Sequence, residues 1–415
     1  MFEYKGWPAE LTGSDLETVG SLNLNVFASD FMFPVAVISQ SDLQHNIATM
    51  ANFCADSGLS LAPHGKTSMS PEITERQLEA GAWGITASTA SQARVFRSFG
   101  VTRILIAHQV VDPAAVRWIW DELAARGDVR IICLVDSIAG IERMEAALAD
   151  RPSGRPLDVL VELGATAGRS GCRTIDEAVD VARRVDASER LRLVGVEGYE
   201  GILPAEGGDF SGVDRFLADV RTLAERLNES GLFVHLDEVI VTAGGSMYPD
   251  RVAVVLGDDW DLERPVRVVM RSGGYVTHDS IHYAKGGPFG LRPPLDLYPT
   301  LRPAMTVWSF VVSRPEPDLA ILGFGKRDAS FDVDLPTPLV VRRSDELQQL
   351  DDGTLELFEL NDQHAYVRVS PGFDLAVGDI VGCGISHPCT TLDRWRALPL
   401  VDEHFNVAGV VRTFF

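Results

Sequence analysis

The sequence predicts an α/β protein made of a TIM (β/α)8 barrel followed by a second, C-terminal antiparallel β domain. From about residue 33 to residue 276, short apolar segments alternate with segments of helical periodicity, and eight of the apolar segments have the length of strands. After Pro293 and Pro294 the pattern changes to short, alternating, β-rich segments. Eight βα units in about 250 residues are what a TIM barrel requires.

The predicted barrel strands cover residues 59–66, 84–88, 103–109, 129–137, 157–163, 193–199, 238–243 and 266–271. The helical patterns between them cover residues 71–80, 91–99, 113–125, 138–149, 175–185 and 212–229, and several begin with Ser, Thr, Asp or Pro. We therefore expect the barrel to span residues 31–295 and the β domain to comprise residues 1–30 and 296–415. Functional residues are expected at the C-terminal ends of the barrel strands.

The composition excludes several classes of partner. The chain has 415 residues, 37 basic and 59 acidic, and a formal net charge of −22 that opposes binding to nucleic acid. No segment has the apolar length of a membrane span or the pattern of a signal peptide. The five cysteines are odd in number and widely spaced, unlike a disulfide framework. We expect a cytoplasmic protein whose partner is a small molecule.

Lys66 ends the first predicted strand, in the segment Pro63-His64-Gly65-Lys66-Thr67. A lysine at this place in a barrel is partly desolvated, which favours the neutral amine and makes it a nucleophile for carbonyl chemistry. The alternative is a rim lysine whose ammonium group reaches water.

Two Gly-Gly corners follow the seventh and eighth predicted strands, in the segments 242–246 and 273–275. TIM barrels commonly build a phosphate site after these two strands. We expect the backbone N–H groups of both corners to approach an anion, with the hydroxyl of Thr242 or Ser246 added. The alternative is ordinary turn chemistry.

Arg169 and Tyr199 follow the fifth and sixth predicted strands. A guanidinium keeps its proton, so Arg169 either donates to a bound group or pairs with surface carboxylates. Tyr199 either packs on a bound ring or fills the end of the barrel.

His387 and Cys389 are two residues apart in the β domain, and in extended backbone they share one face. Imidazole and thiolate are zinc ligands, but a single pair falls short of the four ligands of a structural site. If zinc binds here, open positions remain for water or substrate, which is typical of a catalytic site. The alternative is a histidine beside a half-buried cysteine.

These segments together resemble the D-serine dehydratase and D-threonine aldolase family of fold-type III pyridoxal 5′-phosphate (PLP) enzymes, which share the alanine racemase-like barrel. The resemblance implies that Lys66 is the Schiff-base lysine, that Arg169 meets the pyridine nitrogen and that Tyr199 neighbours the cofactor. The residues that it places around the phosphate are Thr242, Gly244, Gly245, Ser246, Gly274 and Tyr275. It makes His387 and Cys389 the metal pair and implies a homodimer.

The resemblance implies β-elimination from a small D-hydroxy amino acid such as D-serine, D-threonine or D-3-hydroxyaspartate, which gives a 2-oxo acid and ammonia. Cysteine in the second metal position resembles the zinc-dependent dehydratases, whereas the aldolases more often have Asp there. Ser68-Met69 replaces the His-Lys pair of many relatives, as in proteins labelled amino acid deaminase. The alternatives are retro-aldol cleavage to glycine and an aldehyde, a non-catalytic PLP-binding protein and an alanine racemase-like activity.

Overall fold

The computed structural model describes residues 4–11 and 15–415. Six residues of the predicted segment 1–30 therefore lie outside the described part of the chain. The strands in chain order are β1 (Val35–Ser39), β2 (Ser60–Leu61), β3 (Ile85–Ala87), β4 (Arg103–Gln109), β5 (Arg130–Val135), β6 (Leu157–Leu163), β7 (Leu191–Gly198), β8 (Val239–Ala243), β9 (Val266–Met270), β10 (Met305–Glu316), β11 (Leu319–Leu322), β12 (Thr337–Arg343), β13 (Glu346–Gln349), β14 (Leu355–Leu360), β15 (Ala365–Val369), β16 (Ile380–Gly384), β17 (Ala397–Val401) and β18 (Val407–Arg412).

The helices in chain order are α1 (Gln40–Asp56), α2 (Pro71–Glu79), α3 (Ala90–Ser98), α4 (Pro113–Ala125), α5 (Ile138–Ala147), α6 (Ile175–Asp186), α7 (Ser211–Glu229), α8 (Pro249–Leu256), α9 (His282–Gly286) and α10 (Cys389–Leu392). Their first turns explain where several of them begin. Asp112 caps α4 ahead of Pro113, and Thr174 forms a reciprocal capping box with Glu177 in α6. Within the described part of the chain, no helix is both long and apolar enough to cross a membrane.

Strands β2 to β9 form one parallel sheet in the order β2-β9-β8-β7-β6-β5-β4-β3. The two edge strands of this sheet are joined, because backbone hydrogen bonds link β2 and the residues that follow it to β3 and the residues that precede it. The N–H of Trp83 donates to the carbonyl of Leu61 at 2.7 Å, and the N–H of Thr86 donates to that of Pro63 at 2.9 Å. The predicted barrel is confirmed, and the C-terminal ends of its strands meet at one end.

The remaining strands form a mostly antiparallel sheet with the path β13-β12-β16-β10-β1-β17-β18, to which β11, β15 and β14 add further strands. The predicted second β domain is therefore confirmed. Strand β1 lies within the range 31–295 assigned to the barrel, yet it pairs with β10 and β17 in this second sheet. Ala36 and Ile38 point into the large core shared with the barrel, whereas Val35 and Val37 join a second apolar cluster.

The described residues before β1 contain two single-turn helices, Asp15–Glu17 and Val19–Ser21, and no strand. They still belong with the second sheet, because Trp7 and Val26 are buried in its apolar cluster. Trp7 also donates its indole N–H to the carbonyl of Ala397 at 3.1 Å.

Candidate active site

A cavity of about 610 Å³ lies at the C-terminal ends of the barrel strands, where the β domain adds one wall. Nine of the eleven predicted site residues line it: Lys66, Arg169, Tyr199, Gly244, Gly245, Ser246, Gly274, His387 and Cys389. Residues from two separate regions of the chain therefore meet in one cavity.

Lys66 lies in the single helical turn Gly65–Thr67 directly after β2. Its side chain is accessible from the cavity, but the surrounding protein removes enough water for burial to lower the pKa of its amine. The charges of Arg169 and Arg271 lower this pKa further, and Cys389 opposes them. The pKa of His64, two positions earlier, is also lowered, well below its ordinary value, because this side chain is buried. The cavity thus contains an amine with nucleophilic character.

The first Gly-Gly corner differs from the prediction. The N–H groups of Gly244 and Gly245 both donate to the carboxylate of Glu200, each at 2.9 Å. An anion would have to displace this carboxylate before these two N–H groups could hold a phosphate, so their role in phosphate binding stays a prediction. The corner still lies against Tyr199, since a Cβ on Gly245 would lie 3.0 Å from its ring.

The two corners are nevertheless neighbours. A Cβ on Gly274 would lie 3.3 Å from the hydroxyl of Ser246, and the hydroxyl of Tyr283 is hydrogen-bonded to Ser246. Burial raises the pKa of Tyr283 to about 12, so it remains a neutral donor. Ser246, Gly274 and Tyr283 form the polar end of the cavity that can receive a phosphate, and Tyr283 was not predicted from the sequence.

Thr242 and Tyr275 are the two predicted residues whose side chains do not line the cavity. The hydroxyl of Thr242 donates to the carbonyl of Val269 at 2.7 Å and accepts from Arg271 at 2.8 Å. The buried hydroxyl of Tyr275 accepts from the amide of Gln77 at 2.9 Å. Both hydroxyls have structural partners, so the prediction that these side chains surround a phosphate is not supported by their positions.

Arg169 lies over the ring of Tyr199, with 4.5 Å between its guanidinium carbon and the ring centroid. The turn that carries Arg169 is fixed by Arg173, whose guanidinium donates to the carbonyls of Gly168, Arg169, Ser170 and Gly171. Burial raises the pKa of Tyr199, with Glu200 adding to the effect. The sequence analysis named both residues but did not predict this contact between a cation and an aromatic ring.

A buried ion pair that the sequence analysis did not identify also lines the cavity. Arg271 follows β9 and pairs with Glu197 near the end of β7, and both side chains are 3% exposed or less. Arg271 also donates to the carbonyl of Gly198 at 3.1 Å. Burial acts to raise the pKa of Glu197, and the adjacent Arg271 opposes this shift.

His387 and Cys389 face the same cavity from the β domain, and their side chains are hydrogen-bonded to each other. The thiol of Cys389 also lies 3.4 Å from the hydroxyl of Thr67, the neighbour of Lys66. Burial acts to raise the pKa of Cys389, but its hydrogen bonds with His387 and Thr67 outweigh this effect and lower the pKa. The same contact with Cys389 raises the pKa of His387 to about 9.

This donor set fits one metal ion held by two protein ligands. The imidazole and the thiol are hydrogen-bonded to each other, and the pKa of the thiol is lowered. Across the described residues, no group of three or more His, Cys, Asp or Glu side chains forms a closed metal site. The cavity also fits PLP, since an amine with a lowered pKa, an aromatic ring and a hydroxyl-rich end line the same space.

Two family models match the chain. The alanine racemase N-terminal domain matches residues 38–245, which is half of the chain, and the putative serine dehydratase domain matches residues 304–401. The fold and cavity therefore define a PLP-dependent lyase of fold-type III. The chain belongs to the D-serine dehydratase and D-threonine aldolase family, whose barrel is alanine racemase-like.

Relatives of known function agree with this assignment. A D-threonine aldolase of Arthrobacter sp. is 26% identical over 350 residues, which are 82% of this chain and 80% of the relative. A D-threo-3-hydroxyaspartate dehydratase of Delftia sp. (strain HT23) is 35% identical over 173 residues, or 40% of this chain and 43% of the relative.

Solved structures show the same fold. The D-threonine aldolase of Filomicrobium marinum superposes with a TM-score of 0.74 at 23% identity over 92% of this chain and 95% of its own. Two variants of a D-threo-3-hydroxyaspartate dehydratase, with TM-scores of 0.74 and 0.71, are 22% and 23% identical. They cover 96% and 92% of this chain and 98% of their own. One replaces a histidine, and the other, in a metal-free form, replaces a cysteine two positions later.

Proposed function

We propose that this protein is a PLP- and zinc-dependent lyase that eliminates the β-hydroxyl group of small D-hydroxy amino acids. The candidate substrates are D-serine, D-threonine and D-3-hydroxyaspartate, and the products are a 2-oxo acid and ammonia. One observation carries the proposal: the metal pair and the cofactor lysine line the same cavity and are connected through Thr67, at 3.4 Å from the thiol of Cys389.

The cofactor would be held along the cavity from Lys66 to the polar end. Lys66 would bind its aldehyde carbon, Ser246, Gly274 and Tyr283 would receive its phosphate, and Tyr199 would pack beside its ring. Bound there, PLP supplies an electron sink for the electron pair left at the substrate's α-carbon. We assign the pyridine nitrogen to Arg169, because the guanidinium of Arg271 is already paired with Glu197. A guanidinium only donates, so it would keep that nitrogen unprotonated.

Lys66 also has the position and the chemistry to move a proton. The lowered pKa of Lys66 keeps more of its amine in the neutral form, which can accept a proton in the cavity. We therefore assign removal of the α-proton to Lys66.

His387 and Cys389 would hold zinc, which would act as a Lewis acid on the β-hydroxyl. Two protein ligands leave positions for water and substrate, as a catalytic site requires. The preference for elimination over retro-aldol cleavage rests on Cys389. In the D-threo-3-hydroxyaspartate dehydratase, the variant in the metal-free form has lost a cysteine. That cysteine lies two positions after the histidine that the other variant replaces, and His387 and Cys389 have the same spacing.

We further propose that the enzyme is a cytoplasmic homodimer. The five cysteines are unpaired thiols, as a reducing compartment would keep them. The barrel and the β domain would meet at the active site of this dimer, and sedimentation of the PLP-loaded enzyme measures the assembly. A fully active monomer would contradict this arrangement.

Product analysis tests the function. Protein loaded with PLP and Zn²⁺ is incubated with each of the three D-amino acids and with their L-enantiomers, and the products are identified by mass spectrometry. We expect a 2-oxo acid and ammonia from a D-substrate, none from the L-series and none from Lys66→Ala. Glycine and an aldehyde would establish the aldolase reaction instead, and the absence of any product would favour a non-catalytic PLP-binding protein.

A further inference from the structure

Asp332 lies in the β domain beside the metal pair, in the segment between β11 and β12. Its Oδ2 is 2.7 Å from Nδ1 of His387, and its Oδ1 accepts a hydrogen bond from the hydroxyl of Thr390 at 2.8 Å. Both carboxylate oxygens are therefore engaged, and the carboxylate is fixed relative to the imidazole ring although it is 43% exposed.

The same segment also fixes the backbone of His387. The N–H of His387 donates to the buried hydroxyl of Ser330 at 3.0 Å, and its carbonyl accepts from the hydroxyl of Thr391 at 3.0 Å. Ser330 thus fixes the main chain of His387, and Asp332, two positions later, fixes its ring. Such double support restricts the orientation of the imidazole.

The hydrogen bond decides which ring nitrogen can bind a metal. A neutral imidazole carries one N–H, and a carboxylate at 2.7 Å from Nδ1 favours the tautomer in which Nδ1 carries it. Nε2 then keeps its lone pair for a metal ion. A carboxylate behind a ligating imidazole also increases its basicity and fixes the plane of the ring.

We propose that Asp332 is a positioning residue of the metal site: it orients His387, selects the tautomer that binds through Nε2 and thereby sets the affinity for zinc. This inference rests on the proposed function, because it requires that His387 and Cys389 bind the metal. Asp332 itself acts through His387 and does not contact the substrate.

The test compares Asp332→Asn and Asp332→Ala with a matched control, Asp334→Asn. Asp334 is an exposed aspartate two positions away in the same segment, and its backbone carbonyl, rather than its side chain, accepts the hydrogen bond from Ser386. The affinity of each PLP-loaded protein for Zn²⁺ is measured by competition with a fluorescent zinc chelator. The melting temperature of each metal-free protein is recorded in parallel.

We expect Asp332→Ala to lower the affinity for Zn²⁺ by roughly 10- to 100-fold, as is usual for the partner of a ligating histidine. Asp332→Asn should lose less, because its amide oxygen still accepts from Nδ1. Asp334→Asn should bind Zn²⁺ like the wild type. The melting temperatures of all the metal-free proteins should agree, whereas a merely structural role of Asp332 would lower those of the Asp332 variants.

His387→Ala separates the two ways in which this reasoning can fail. If His387→Ala lowers the affinity and the Asp332 variants bind Zn²⁺ like the wild type, the role of Asp332 is overturned and the proposed metal site stands. If the wild type binds no better than His387→Ala, the metal site and the role of Asp332 are both overturned.

Discussion

Gly273 lies where a side chain would disturb the segment that carries Lys66. Its φ of −122° is available to any residue, so only the surrounding space constrains it. A Cβ at this position would lie 2.7 Å from the carbonyl oxygen of His64, 2.8 Å from the Cβ of His64 and 2.8 Å from the hydroxyl of Thr67. We therefore predict that Gly273→Ala displaces the turn Gly65–Thr67.

The size of the effect follows from these contacts. They are about 0.6 to 0.7 Å shorter than the 3.4 Å at which ordinary contact begins, and one of them is to backbone, which cannot rotate away. Overpacking of this kind costs about 1–3 kcal/mol of folding free energy. A catalytic group moved by a large part of 1 Å loses on the order of 100-fold in rate. The variant should fold, bind PLP more weakly and eliminate substrate about 100-fold more slowly.

PLP binding is measured by absorbance titration, the covalent link to Lys66 by borohydride reduction and peptide mapping, and stability by urea unfolding. Gly212→Ala is the matched control, because Gly212 lies in α7 and a Cβ added there would meet no atom within 4 Å. The control should gain up to about 1 kcal/mol from the better helix former. If Gly273→Ala bound PLP and turned over substrate like Gly212→Ala, the packing argument for Lys66 would be refuted.

Three further predictions concern thiols, charge and metal. Burial raises the pKa of four cysteines, Cys54, Cys133, Cys172 and Cys383, whereas that of Cys389 is lowered. Iodoacetamide should therefore label Cys389 first in metal-free protein and more slowly with zinc, as peptide mass spectrometry would show; equal labelling of all five would contradict this. Burial acts to raise the pKa of Asp379, but hydrogen bonds from Arg343 and the N–H of Ala376 lower it below the ordinary 3.8. The charged Asp379 thus stabilises the fold above pH 3.8, and this stabilisation is lost as the pH falls through the pKa that Asp379 has in the folded protein. At neutral pH, Asp379→Asn should therefore lower the free energy of unfolding by about 1 kcal/mol or less. Urea unfolding should show a smaller difference between the variant and the wild type in acid. Removing zinc with a chelator should stop elimination and leave the melting temperature nearly unchanged; full activity in protein shown to be metal-free would refute the metal's role.

The barrel was predictable because its strands are buried on both faces. Strands β4 and β6 have the predicted bounds, since continuous apolar runs leave little choice of structure. The first barrel strand is shorter than predicted, because Pro63 has no N–H for a ladder and Gly65–Thr67 forms a helical turn. Helix α1 was not predicted, and its buried face contains the polar Asn46, which bonds to the carbonyls of Val276 and Arg302.

Candidate residues that lie within one short segment, such as Lys66 or His387 and Cys389, could be predicted from the sequence, and the structure places them in one cavity. Contacts between distant segments could not be predicted. Glu200 reaches the N–H groups of a corner 44 and 45 positions later, and Asp332 reaches His387 55 positions later. Glu197 and Arg271 meet because β7 pairs with β8 and β8 with β9, so one pair spans three adjacent strands.

Strand β1 has a consequence for how the molecule is made. It lies at the centre of the second sheet, between β10 and β17, yet about 265 residues of chain, including every barrel strand, separate it from its first partner. A nascent chain therefore holds β1 without a partner until the ribosome has finished the barrel. A fragment that begins after the barrel would lack the strand that joins β10 to β17, and it would present two unpaired edges. The second sheet is consequently not a module that can be moved to another protein by cutting the chain once.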